Sequence, residues 1–364
     1  MASVGEIYGY LDRIAPFKLQ EKWDNSGLLA GDKQQQVARC LLALDITNDV
    51  VNEAVTSGAR LVISHHPVIF DAVKSVTAQS EPVVYRLIKH DISAICAHTN
   101  LDIAQGGVND VLAQALGLRR VKGLKNINTD EYFKVVVFVP KKNAEEVKRA
   151  MAAAGAGAQG NYTECSFEVT GKGMFRPGEH AQPFIGKLGT VKEVREARIE
   201  MICPKSRLSS VIATMKKAHP YEEPAYDIFI NHALKDSVSM GRVGVLEQAM
   251  TAEEFAAFAA QRIRAKGVRY IKGSAPIKTV AVCGGSGGSY LSAAIAAGAD
   301  AYVTGDVKHN VFVDAKNQDF TLVDAGHFAT EMLAVSALKN RLQNQFSDVE
   351  FILGRSSVEP VSYI

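Results

Sequence analysis

Two adjacent histidines carry the most chemical content in this chain. In Leu61-Val62-Ile63-Ser64-His65-His66-Pro67 a strand-like apolar run ends in two imidazoles and is stopped by a proline. Neighbours on an extended backbone point to opposite faces. Both rings therefore reach one crevice only where the strand gives way to a loop, the end at which open α/β sheets place ligands. Two other segments repeat the theme: His98 with Asp102, and His327 with Glu331, each a His-x-x-x-acid. Helical residues four apart share a face, so His327 and Glu331 can grip one ion if His327 opens the helix expected after Gly326. For His98 and Asp102 a loop is the alternative, because Gly106-Gly107 follows closely. The six groups offer nitrogen and carboxylate donors without thiolate. Such a set suits two divalent transition ions (zinc, iron or manganese), with Glu331 a candidate bridge. Two ions can activate a water and clamp two substrate oxygens. The competing reading is structural: one core and one solvated histidine at 65–66, and a solvated histidine with an outward glutamate at 327–331. All six groups fall at the ends of expected strands, which favours the two-ion reading.

The elements that must position these groups alternate between strand and helix. A first amphipathic helix is expected at 5–14, then turn chemistry in Trp23-Asp24-Asn25-Ser26-Gly27-Leu28. A β-rich run at 37–44 precedes a helix capped within 45–47, and the strand into His65 follows. A helix at 81–90, a strand at 92–97 and a helix opened by Gly106-Gly107 complete the first part. This alternation argues for a mainly parallel, doubly wound sheet. The C-terminal part repeats the plan. Gly298-Ala299-Asp300-Ala301-Tyr302-Val303-Thr304 echoes Gly58-Ala59-Arg60-Leu61-Val62-Ile63-Ser64, with Gly305-Asp306 standing where His65-His66 stood. The expected fold class is therefore α/β: two related halves, 1–128 and 236–364, facing each other across the crevice. Between them, strands at 133–139, 163–170, 197–203 and 225–231 and helices at 144–154 and 208–218 give the β-α-β-β-α-β order of a ferredoxin-like α+β unit. That predicts an inserted domain at 129–235, with loops at 155–160 and 171–178.

Composition narrows the function. The 364 residues include 41 Lys and Arg against 39 Asp and Glu, a net charge of +2. With no basic run interleaved with aromatics, nucleic acid is not an expected partner. The apolar runs are too short for a membrane span. Residues 1–30 lack the pattern of a secretory signal, and Cys40, Cys96, Cys165, Cys203 and Cys283 show no CxxC spacing, so reduced core thiols in the cytoplasm are expected. Among the remaining histidines, His90 and His232 read as solvated and His180 as part of a loop, while His309 reads equally as a substrate contact or a helix start. The 284–289 turn is glycine-rich but matches no phosphate-loop spacing, so a tight turn is the simpler reading over an anion cradle.

Together, Trp23-Asp24-Asn25-Ser26-Gly27-Leu28, Ser64-His65-His66-Pro67, His98-Thr99-Asn100-Leu101-Asp102, Gly305-Asp306 and Gly326-His327 with Glu331 resemble the Nif-three-like dinuclear metal centre family. Its members are often named GTP cyclohydrolase 1 type 2 homologues. The resemblance implies that His65, His66, Asp102, His327 and Glu331 are metal ligands, Glu331 bridging, with His98 beside them for acid–base work. It implies a metal-dependent hydrolase whose candidate reaction is opening of the GTP ring at C8, and a toroidal homohexamer. His219-Pro220-Tyr221-Glu222-Glu223-Pro224-Ala225 makes the middle segment similar to the insert of the long bacterial members, itself similar to small trimeric copper-tolerance and nitrogen-regulatory proteins. From that follows the alternative function, a non-catalytic metal-binding regulator or metal chaperone sensing a small molecule through the insert.

Overall fold

Three apolar runs pair in parallel to form the centre of one sheet: Arg39–Ala43, Leu61–Ser64 and Ser93–Cys96. Glu350–Leu353, from the far end of the chain, adds in parallel outside Arg39–Ala43, and Gly27–Ala30 closes the other edge antiparallel. Their near-continuous burial is what parallel strands covered on both faces require. Alternate residues sort to the two faces. Leu41, Val62 and Ala94 pack under the helices Asn48–Ser57 and Pro82–Lys89, whereas Leu42, Ile63 and Ile95 pack under Val4–Ile14 and His327–Gln345. A capping box on Ser3 and Glu6 starts the first helix. Thr47, rather than Asp45, caps the second, which leaves the Asp45 carboxylate for another task.

A second sheet has the same parallel heart. Ile277–Val282, Ala301–Thr304 and Thr321–Asp324 run side by side, with Arg269–Ile271 antiparallel on one edge and residues 242–250 of the strand Tyr226–Met250 antiparallel on the other. Ala252–Ile263 and Val108–Ala115 cover one face; Leu291–Ala296 and His309–Asn317 cover the other. The computed structural model describes residues 1–127, 131–234 and 238–363. It divides into two compact units, one formed by Met1–Ile127 with Val238–Ile364 and containing both parallel centres, the other by Asn128–Ser237.

In the second unit Lys192–Pro204 pairs antiparallel with Phe167–Phe175 on one side and with residues 132–140 of the strand Arg119–Pro140 on the other. The helices Ala144–Ala153 and Lys205–Ala218 bury Val147, Met151, Val211 and Met215 against this sheet. The expected strand at 163–170 lies further along, at Phe167–Phe175, and so takes in residues expected to form a loop at 171–178. Gly173 accounts for the difference. A Cβ there would fall 2.0 Å from the Glu196 carboxylate, so the glycine is needed within the strand to admit a neighbour. The strands expected at 133–139 and 225–231 are likewise longer, Arg119–Pro140 and Tyr226–Met250, because polar residues extend them past their apolar centres. Among the described residues no helix is long and apolar enough to cross a membrane, and none of the five cysteines forms a disulfide, four of them being buried.

Candidate metal centre

The groups expected to do chemistry do lie at strand ends. His65 and His66 follow Leu61–Ser64; His98 follows Ser93–Cys96 and caps the short helix Thr99–Ile103, which carries Asp102; His327 opens the helix His327–Gln345, which carries Glu331 one turn on. Gly326, at φ +84°, makes the sharp entry into that helix. All six groups belong to the unit that holds both parallel centres.

Each imidazole is held by its Nδ1. That of His65 meets the Ala97 carbonyl at 2.9 Å, His66 meets Asp45 at 2.8 Å, His98 meets Asp24 at 2.7 Å and His327 meets Asp306 at 2.6 Å. Carbonyls and carboxylates only accept, so every Nδ1 donates and every Nε2 is left to serve as a ligand, the arrangement that orients metal-binding histidines. The Nε2 atoms of His66 and His327 approach each other to 3.2 Å, and each lies 3.0 Å from the same Glu331 oxygen. The Nε2 of His65 stands 3.6 Å from both Asp102 and Glu331. Three overlapping groups emerge, each with its donor atoms within 4.8 Å: His65, His66 and His98; His66, His327 and Glu331; His65, Asp102 and Glu331.

These residues fit a cation. His65 Nε2, Asp102 Oδ1 and Glu331 Oε2 are buried without a hydrogen-bond partner. The rings near Glu331 are close enough to bond but not aimed to do so. An unsatisfied buried polar atom costs about 1–3 kcal/mol, and a positive ion among them would satisfy all three at once.

The electrostatics agree. Burial works against charge on His66, but its bond to Asp45 and the negative charge of the nearby Glu331 outweigh that and push its pKa up to about 10. Burial is similarly overcome at His327, where Glu331 and Asp306 push the pKa up to about 9. Burial raises Asp102 to about 6, against the pull of His65. Burial would also raise Glu331, yet the surrounding imidazoles, His65 first, hold it well below the usual carboxylate range. At Asp24 burial is outweighed by bonds from His98 and Thr99, which hold it low and ionised.

Several supporting residues were not legible as such beforehand. Asp45 read as helix-capping chemistry and Asp24 as turn chemistry, and only their position just past strand ends or inside a turn hinted at more. The glycine turn lies against the centre: a Cβ on Gly285, at φ +63°, would come 2.1 Å from Glu331 Oε1. Gly305 stands in place of a histidine because a Cβ there would be 2.7 Å from the His327 amide. A cavity of about 470 Å³ opens beside the centre, lined by Trp23, His98, Asp102, Tyr290, His327 and Glu331 among others. His309 sits exposed at the start of its helix, and His90, His180 and His232 belong to none of the three groups.

Comparison with known proteins places this architecture. The family described as Duf34/NIF3 (NGG1p interacting factor 3) matches residues 2–360. A relative from Halalkalibacterium halodurans, called GTP cyclohydrolase 1 type 2 homolog, is 38% identical over 359 residues, covering 97% of this chain and 96% of its own. A Bacillus subtilis relative of the same name is 38% identical over 349 residues, covering 95% and 93%. The crystal structure of a Bacillus cereus protein related to NIF3 is 37% identical with a TM-score of 0.81, covering 100% of this chain and 99% of that one. A Staphylococcus aureus protein of solved structure is 34% identical with a TM-score of 0.83 and the same coverage.

Proposed function

Since the chain belongs to the Duf34/NIF3 family, and its crevice gathers four imidazoles and two carboxylates, we propose that it is a dinuclear-metal hydrolase acting on a small molecule, with GTP as the first candidate substrate. His65, His66, Asp102, His327 and Glu331 would hold two divalent ions, zinc, iron or manganese, with Glu331 bridging. The observation that carries this reading is the convergence of Nε2 atoms and unpartnered carboxylate oxygens within 4.8 Å. The candidate reaction comes from the relatives' name. Bound ions would supply Lewis acidity toward a substrate oxygen and toward the attacking water.

The chain's own residues do the rest. Asp24 fixes the orientation of His98, whose ring stands edge-on to His65 and His66 at 5.2 and 5.5 Å, where it can hold and return a proton. Trp23 and Tyr290 give the cavity aromatic surface for a flat base. Two related α/β halves, an inserted ferredoxin-like domain over 129–235, a toroidal homohexamer and a cytoplasmic setting complete the proposal.

Metal content per chain, measured for the wild type and Glu331→Ala, tests it. Two ions falling to one or none is the expected result; no metal retained or taken up would overturn it. If metal is held and nucleotides survive incubation with the loaded protein, the hydrolase half fails and the second reading, a metal-binding regulator, stands. That reading is favoured by a separate cavity in Asn128–Ser237.

A further inference from the structure

Residues 219–225 are not needed by the metal centre, yet they are held with care. The helix Lys205–Ala218 ends at His219. The His219 Nε2 donates to the Phe138 carbonyl at 2.9 Å, and its Nδ1 accepts from the Tyr221 amide at 3.0 Å. That bridge sets Tyr221 over the sheet, edge-on to Phe175 with centroids 5.6 Å apart and 6.5 Å from Phe184. The Tyr221 hydroxyl donates to Glu196 at 3.0 Å. Glu196 can stand there because Gly173, on the neighbouring strand, has no Cβ to meet it. The Gln182 amide donates to Glu222 at 2.8 Å, drawing the loop that carries Pro183 and Phe184 across the same space. A cavity of about 320 Å³ results, entirely within Asn128–Ser237.

Its lining decides what it can take. The walls are aromatic and apolar (Phe138, Met174, Phe175, Phe184), and every ionisable group among them besides Tyr221 is a carboxylate: Glu196, Glu222 and Glu223. No Lys or Arg lines it, and among the described residues no cation pairs with Glu196. An anion would meet like charge. A neutral apolar molecule would leave the carboxylate facing it uncompensated. A cation satisfies both halves of the site, since aromatic faces attract ammonium groups and Glu196 neutralises them. Lys142, outside the lining, already holds its ammonium 4.9 Å from the Phe184 ring.

We propose that this cavity binds a small organic cation, an amine or quaternary ammonium on an aromatic body. Its charged head sits against Glu196 and the Tyr221 hydroxyl, and its body lies between Phe175 and Phe184. The site is separate from the metal centre, and its occupancy is measurable whether or not that centre is catalytic.

The test is calorimetric titration of the full chain with phenethylamine, tryptamine and benzyltrimethylammonium, and with phenylacetate and indole-3-acetate as anions of similar size. At least one cation should bind with a sub-millimolar Kd, and the anions at least tenfold more weakly. Glu196→Gln, which keeps the side chain's size, should weaken the cation at least tenfold, and Phe175→Leu should do so while leaving every carboxylate in place. Binding of no cation below millimolar concentration would overturn the proposal, as would equal binding of the anions. Unchanged affinity in either variant that retains its far-UV circular dichroism would overturn it too.

Discussion

Loading the centre with a divalent ion should expel protons, and the structure sets how many. A histidine binds a metal only when neutral, yet the carboxylates around His66 and His327 push their pKa values up to about 10 and about 9. Both pKa values lie above pH 7, and clearing the His66 nitrogen alone costs about 4 kcal/mol at 1.36 kcal/mol per unit. The side chains are 21% and 32% exposed, so solvent screens this only in part. The two Nε2 atoms lie 3.2 Å apart, and the first proton repels the second. Release at pH 7 should therefore be at least one proton per chain, and His65, where Glu331 and Asp102 overcome burial and raise the pKa, adds to it. The sign follows directly: protons compete with the ion, so affinity weakens as pH falls. It should drop roughly tenfold to hundredfold per unit from pH 8 to pH 7, level off above pH 10, and steepen below pH 6, where Asp102 also takes up a proton. Titration of chelator-stripped protein with zinc or manganese, in buffers of different ionisation enthalpy, counts the protons. Release of well under one proton per chain, or an affinity flat between pH 6 and 8, would refute the claim that His66 and His327 surrender Nε2 to a metal.

Two further outcomes rest on packing. Gly285→Ala puts a methyl group 2.1 Å from Glu331 Oε1 at a φ of +63°, a backbone that costs an L residue about 1–2 kcal/mol; metal competition titrations should show at least tenfold weaker binding with an unchanged circular dichroism spectrum. Arg242 is buried and reaches both oxygens of Asp110 at 2.5 and 3.0 Å, so Asp110→Ala leaves an unpaired buried cation and should cost about 3 kcal/mol in urea unfolding, whereas Arg242→Met should cost less.

Much of the centre could be read from the chain because its information is local. Histidines directly after apolar runs announce strand ends, and four-residue spacing on a helix commits His327 and Glu331 to one face before any tertiary contact exists. His98 and Asp102 were legible as a pair but not as a helix: Thr99–Ile103 is too short to show periodicity. Asp45, Asp24 and Asp306 escaped as imidazole partners because each bond joins residues 21 to 74 positions apart. Strand limits at 167–175 escaped because glycine in a run reads as a loop until the neighbour it admits, Glu196, is seen.

By itself the sequence determined the strand-helix alternation, the residues available as ligands and the absence of strong charge bias, since these depend on periodicity and residue type alone. Tertiary structure decided which nitrogen of each ring faces inward, that Glu331 lies between three imidazoles, and that the last strand pairs with the first sheet. Those outcomes depend on contacts between distant segments, and such contacts exist only when the apolar faces of both sheets are buried together.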